Sequence, residues 1–336
     1  MDYRRLGASG LMVPALSFGA GTFGGAGPLF GAWGSTDARE ARRLVDICLE
    51  AGVNLFDTAD VYGDGRSERL IGRFRASRPD APLTVATKMG RRVPQDPAEY
   101  TAAAFRAWAD RSRTNLGVDR LDLTQLHCPP EAVFHDDRVF DALDALVDDG
   151  ILAAYGVSVE TCDQALAAIA RPHVQSVQII LNAFRRKPLD EVLPAARAAD
   201  VAIIARVPLA SGLLSGRYTE STTFAPDDHR SYNRHGEAFD VGETFAGVDY
   251  PTGVSAAREF ATLVADLAPG ITPAQAALRW IIQQPGVTTV IPGGRTPDQV
   301  RANAAAASGP DLPPELLAAM ADLYDHRIRP LVHHRW

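Results

Sequence analysis

The chain has 336 residues, 46% hydrophobic and 22% charged, with a net charge of −7. That is enough chain for a large core without disulfide or metal staples. Acidic and basic residues are interspersed with no basic stripe to track phosphates, and no apolar run reaches the ~20 residues of a bilayer span, which argues against nucleic-acid and membrane partners. Met1-Asp2-Tyr3-Arg4-Arg5 has no apolar segment behind it, so it does not read as a signal peptide. Cys48, Cys128 and Cys162 are widely spaced and form no CxxC, predicting free thiols in a cytoplasmic protein. Cys48 lies on an apolar helix face. Cys128 follows His127 and is read as structural, because no neighbour in sequence would stabilise a thiolate.

In chain order, two short runs around Gly7-Ala8-Ser9-Gly10 predict an N-terminal hairpin within 1–14. A strand over 16–19 runs into Gly-rich sequence. Asp37 caps a first helix with Glu40 three residues on, Ala41, Leu44, Val45 and Cys48 form its stripe, and Gly52 ends it. Strands are then expected at 54–57, 83–88, 121–127, 154–158, 176–180, 202–206 and 288–291. Helices are expected at 67–74, 97–116, 139–149, 162–170, 189–200, 255–267, 272–284, 297–307 and 313–327. The strands are nearly continuous apolar runs, as in a parallel sheet covered on both faces. Eight alternating units predict an α/β chain folded as a (β/α)8 TIM barrel, one domain over 1–336 with an extension from 308. No GxGxxG follows the first strand, so a doubly wound dinucleotide fold is disfavoured. The segment 207–253, rich in Pro, Gly and polar residues, leaves the seventh strand on the face where barrel sites form. A loop of that length is usually functional.

Polar residues stand at or just after successive strand ends: Asp57 with Tyr62 five positions on, Lys88, His127, Ser158, Gln178 and Arg206. Asp57 and Tyr62 alone read equally well as a turn cap and its packing partner. Ionisable groups repeated at like positions in consecutive units are hard to explain as core packing. Lys88 would pair with Asp57 and lower the pKa of Tyr62, and His127 would orient a carbonyl oxygen. A tuned phenol then donates a proton as the carbonyl carbon receives hydride. The chain supplies no hydride, so a nicotinamide cofactor is implied. Asp57 and His127 are not read as metal ligands, because Lys88 beside them repels a cation.

The motifs Arg5-Leu6-Gly7, Leu16-Ser17-Phe18-Gly19 and Phe56-Asp57-Thr58-Ala59-Asp60-Val61-Tyr62-Gly63 carry a resemblance. Ala86-Thr87-Lys88, Leu126-His127, Tyr155-Gly156-Val157-Ser158, Pro208 to Gly216, Ala277-Leu278-Arg279-Trp280 and Val290-Ile291-Pro292-Gly293-Gly294 extend it. Over nearly its whole length the chain resembles the aldo-keto reductase family. The resemblance implies a catalytic tetrad of Asp57, Tyr62, Lys88 and His127 that reduces aldehydes or ketones with NADPH, NADH being the other carrier. It places the nicotinamide carboxamide at Ser158 and Gln178, with Gly21 and Thr22 nearby, although Val159 stands where the family often has Asn. Arg206 occupies the place of an aromatic residue that stacks on the ring, and its planar guanidinium could stack instead. Pro208, Leu209, Ser211, Gly212, Leu214 and Gly216 would wrap the pyrophosphate. Ile291, Gly293, Gly294, Arg295, Gln299 and Asn303 would take the adenosine end, with Arg295 as the 2′-phosphate ligand.

Trp33, Phe23 and Tyr232 are expected in the pocket for a small carbonyl or alcohol substrate. For Trp33 and Phe23 the alternative is loop packing, and Phe30 shares the same two readings. Arg230, Tyr232, Asn233, Arg234 and His235 read as substrate contacts or as a solvated surface, and His333-His334-Arg335-Trp336 as a solvated tail. Two rival functions are a nicotinamide-binding channel-associated regulatory subunit with slow turnover and a lyase using Lys88 as a Schiff-base amine.

Overall fold

The computed structural model describes residues 1–25 and 37–336, so Phe30 and Trp33 lie outside the described residues. Strands β1 (Tyr3–Arg5) and β2 (Met12–Pro14) form an antiparallel hairpin. Eight parallel strands follow: β3 (Phe18–Gly19), β4 (Leu55–Asp57), β5 (Thr84–Met89), β6 (Leu123–His127), β7 (Tyr155–Ser158), β8 (Ser176–Ile180), β9 (Ala202–Arg206) and β10 (Val287–Val290). Each pairs with its neighbour in sequence, from β3 round to β10. The sheet closes where Ser17 N donates to Val290 O at 2.8 Å and Gly19 N to Pro292 O at 3.0 Å. Closure removes both sheet edges and makes a (β/α)8 barrel.

Why the residues sort as they do follows from the two-residue period of a strand. One set of side chains, Leu55, Ala86, Leu123, Ala154, Ala202 and Ile204, fills the lower barrel interior, and Leu6 and Val13 of the hairpin plug it from below. The other set faces outward to the helices and forms the larger core. The outer layer is α1 (Ala38–Glu50), α2 (Arg66–Ser77), α3 (Ala102–Leu116), α4 (Asp137–Asp148), α5 (Cys162–Ile169) and α6 (Val192–Ala198). It continues with α8 (Tyr250–Leu267), α9 (Pro273–Ile282) and α10 (Pro297–Ser308), while the short α7 (His229–Tyr232) lies within the segment after β9. Side-chain caps start most of them: Asp37 accepts from Glu40 N, and Thr161 and Thr272 form full capping boxes with Gln164 and Gln275.

Three expectations are corrected. The helix expected at 255–267 starts at Tyr250, because Asp249 accepts from Thr252 N and Pro251 sits in the first turn, where no N–H is needed. It is α9 that packs on β10 and α10 as the seventh barrel helix, while α8 packs against α11 (Pro314–Leu323). The last helix does not end at 327. It passes through a π turn, Tyr324–Ile328, into α12 (Arg329–Val332). Pro330 cannot donate to residue 326 and its ring would clash there in α geometry, so the turn widens. The tail beyond is solvated only in part: His334 and Arg335 are exposed, but Trp336 is 6% exposed, and His333 bonds Tyr324 Oη at 2.8 Å and Asp190 at 3.0 Å. The three cysteines are free and buried. No helix among the described residues is long and apolar enough to cross a membrane.

Candidate active site

Asp57 is the last residue of β4, in register with Ala86 of β5. The chain stays beside β5 past the strand end, since Thr58 N donates to Ala86 O at 2.8 Å and Asp60 N to Lys88 O at 3.0 Å. This carries Tyr62 onto the mouth of the barrel. Gly63 turns the chain there with φ 58° and lies directly on the backbone of Gly24, where a Cβ would collide. Lys88 Nζ donates to Asp57 Oδ1 at 2.5 Å and to Thr58 O at 2.9 Å, fully buried. The ammonium is 5.4 Å from the centroid of the Tyr62 ring. The His127 ring meets that of Tyr62 edge-on at 5.9 Å. Gln178 Nε2 donates to Asp57 Oδ2 at 2.7 Å and Gln125 Nε2 to the same oxygen at 3.4 Å. The structure thus brings Asp57, Tyr62, Lys88, His127 and Gln178 together from four strands and one loop.

The charge states follow from burial and neighbours. Burial acts to lower the Lys88 pKa, but Asp57 and Tyr62 outweigh it and hold the group above the ordinary lysine value, a fixed cation. Burial raises the Tyr62 pKa; Lys88 opposes this, while Asp57 and Glu243 add to it. The net rise corrects the expectation that Lys88 brings the phenol below its usual value: desolvation wins, and Tyr62 carries its proton at neutral pH. Burial, then Arg91, Lys88 and Arg206, push His127 well below the usual histidine range. Its imidazole is therefore neutral, with one N–H to donate. A protonated phenol and a neutral imidazole over a fixed cation form a set of donors suited to an oxygen that gains negative charge.

Around this centre runs a ring of charge. Arg206, at the end of β9, donates to Val159 O at 3.0 Å and to Glu160 Oε2 at 2.9 Å, and pairs with Glu243 of the long segment after β9. Arg91 pairs with Glu160 at 3.3 Å. Cys128, at φ 47°, lies 3.4 Å from Ser158 Oγ and 3.9 Å from Arg206. The guanidinium of Arg206 is thus occupied in plane by carboxylates and a carbonyl. Ser158 stands in register with both His127 and Gln178.

The remaining expected residues fall in two groups on the same rim. Gly21 and Thr22 lie in a 3-10 turn, Ala20–Gly24. Thr22 Oγ1 donates to Gly294 O at 3.3 Å, which sets the turn beside Ile291, Gly293 and Gly294. Asn303 Nδ2 donates to Gly293 O at 3.1 Å, Gln299 Oε1 accepts from Arg295 N at 2.8 Å, and the Arg295 side chain is exposed. The run Pro208, Leu209, Ser211, Gly212, Leu214 and Gly216 forms a turn with left-handed backbone at Val207, Ala210, Ser211 and Gly212. Three N–H groups are used inside the turn: Ala210 N donates to Val207 O at 3.1 Å, and Gly212 N and Leu214 N donate to Leu209 O at 2.9 and 3.2 Å. Ser211 Oγ is committed to the loop, donating to Glu243 O at 2.9 Å and accepting from Phe245 N at 3.1 Å.

Phe23 is fully buried, 5.4 Å from Phe18, in the core beneath the first turn. Tyr232 is half-buried edge-on to Phe239. Three of its neighbours build the loop. Arg230 clamps Asp228 and donates to Tyr218 Oη at 2.5 Å. Asn233 accepts from Ala238 N and Phe239 N, and Arg234 lies over Tyr250 at 5.0 Å. Sequence reasoning missed Gln125, Glu160, Glu243 and Arg91. Gln125 had a signal, being two residues before His127 and so on the same face of β6. Glu243 had none.

A model of the Aldo/keto reductase family matches residues 15–325. The chain belongs to that family. Aldo-keto reductase YhdN of Bacillus subtilis is 27% identical over 90% of this chain and 87% of its own length. A probable voltage-gated potassium channel subunit beta of rice (Oryza sativa) is 28% identical over 90% of each. The solved structure of the glycerol dehydrogenase AKR11B4 from Gluconobacter oxydans superposes with a TM-score of 0.76 at 27% identity, covering 97% of this chain and 96% of that one.

Proposed function

We propose that this aldo-keto reductase moves hydride between NADPH and the carbonyl carbon of a small aldehyde or ketone, reversibly, with Tyr62 as the acid. The observation that carries the reading is the buried Lys88–Asp57 pair beside a protonated Tyr62, with a neutral imidazole at its edge. A bound nicotinamide supplies the hydride. Tyr62 gives its proton to the carbonyl oxygen, Lys88 holds the phenolate that remains, and Asp57 holds Lys88. His127 donates its N–H to the same oxygen and orients it. Being neutral, it cannot compete with Tyr62 as the proton source.

The residues fit the cofactor. Ser158 beside Gln178 offers polar atoms to a carboxamide, and the tight turn that follows β9 supports a pyrophosphate site next to it. Arg295 is an exposed guanidinium just ahead of the first turn of α10, which supports it as the ligand of a 2′-phosphate. NADH is the alternate carrier. The name of the Gluconobacter relative supports an alcohol or polyol as the oxidised partner. The rice relative's name supports the second reading, a channel-associated regulatory subunit; such a subunit would hold its nucleotide and turn over slowly.

The test is fluorescence titration with NADPH and NADH, followed by a generic aldehyde. Binding with oxidation supports the enzyme; binding without oxidation shifts weight to the regulatory subunit. Tyr62→Phe should lose at least ~100-fold in turnover, the usual weight of one general acid, with nucleotide affinity unchanged. Equal turnover in the variant would remove Tyr62 from the mechanism.

A further inference from the structure

We infer that Trp336 is a positioning residue for the mouth of the barrel: it keeps Glu243 opposite Arg206 and so holds the segment 240–247 over the rim. The inference rests on reading that rim as the hydride-transfer site.

Arg185 is a guanidinium only 2% exposed. A buried cation needs compensation. One NH2 donates to Glu160 O at 2.5 Å, and the nearest carboxylate, Asp240, is 3.9 Å away. The indole of Trp336 covers it, 3.7 Å from Cζ to ring centroid, close for a cation–π contact. Burial brings Arg185 down to about 10, so it remains a cation at neutral pH.

The same indole grips the long segment after β9. Its Nε1 donates to Asp240 Oδ2 at 3.4 Å. Its edge lies against Gly242 and Gly247, where an added Cβ would stand 2.9 Å and 2.5 Å from ring carbons. Glu243 sits between those two glycines and pairs with Arg206. Trp336 therefore reaches Arg206 by two routes. One runs through Arg185 and Glu160, the other through the backbone that carries Glu243. Both end beside Cys128 and Ser158, next to His127. A tryptophan placed only to fill a gap would touch neither the buried cation nor the polar edge of the loop.

Hydrogen exchange on the full chain without nucleotide reads the contact directly. In Trp336→Ala, exchange over 240–247 should rise about tenfold while the β1–β2 hairpin at the far end stays unchanged, and Trp336→Phe, which keeps a ring over Arg185, should recover most of the protection. NADPH release should quicken about tenfold in both Trp336→Ala and Glu243→Gln, with the double variant no faster than either, while kcat of Trp336→Ala stays within about threefold. A rise in exchange spread evenly over the barrel, with release unchanged, would mean that Trp336 adds only general stability and would overturn the inference. If the wild type binds neither nucleotide, the hydride-transfer reading fails, and the exchange comparison alone decides the positioning role.

Discussion

Two residues behind the mouth show how burial sets charge here. Lys88 is buried with a partner and keeps its charge. Asp60 is buried as deeply, and neither of its carboxylate oxygens has a hydrogen-bond partner among the described residues. Burial and then Glu68 raise its pKa to about 7, against the weaker pull of Arg92, Arg111 and the Val61 amide. The folded state holds this proton more tightly than the unfolded chain. Stability from this group is therefore present at low pH and lost as pH rises from the ordinary carboxylate range to about 7, at about 1.4 kcal/mol per unit. Asp60→Asn, neutral at every pH, should be more stable than wild type by a few kcal/mol at pH ~8 and by much less at pH ~4. Denaturant melts at the two pH values check this; an equal gain at both would refute the linkage. His127→Gln, keeping a donor on a neutral side chain, should retain more activity than His127→Leu, read as kcat/KM with one aldehyde.

At the scale of elements, the short helix α5 places a rim residue. Its capping box does two things at once. Thr161 Oγ1 accepts from Gln164 N at 3.1 Å, and Gln164 Oε1 accepts from Glu160 N at 3.0 Å. The cap that starts the helix thus also fixes the backbone of Glu160, whose carboxylate bridges Arg91 and Arg206. Thr161→Ala should lower stability by about 1 kcal/mol, seen as a shift in denaturant midpoint with an unchanged slope. The long segment after β9 is an element of the same kind. Its aromatic rings, Phe224, Phe245 and Tyr250, pack on one another at 4.9–6.1 Å and give it a small core of its own.

Across the whole molecule the two ends of the barrel are divided in purpose. The lower end is apolar and sealed by Leu6 and Val13; the upper end holds the buried charges. Leu6→Ala should therefore lower the melting temperature, at about 2–5 kcal/mol for a buried Leu truncation, and leave kcat unchanged. Tyr62→Phe should do the reverse. A variant that moved both quantities equally would contradict the division.

The sequence by itself determined the eight β/α units and the residues Asp57, Tyr62, Lys88 and His127. Strand ends are local events: an apolar run stops, and the residue that stops it is named in the sequence. The same locality explains the capped helix starts at Asp37, Thr161 and Thr272. Only the tertiary structure decided the rest. Arg206 meets Glu160 and Glu243 across 46 and 37 residues, which no periodicity relates. Phe23 became core because the chain folds it onto Phe18, and Trp336 became buried because Arg185 is there to receive it. The net rise of the Tyr62 pKa was decided in the same way. The sign of Lys88's effect was legible in sequence, but the desolvation that outweighs it comes from how the loop after β4 packs on the barrel mouth.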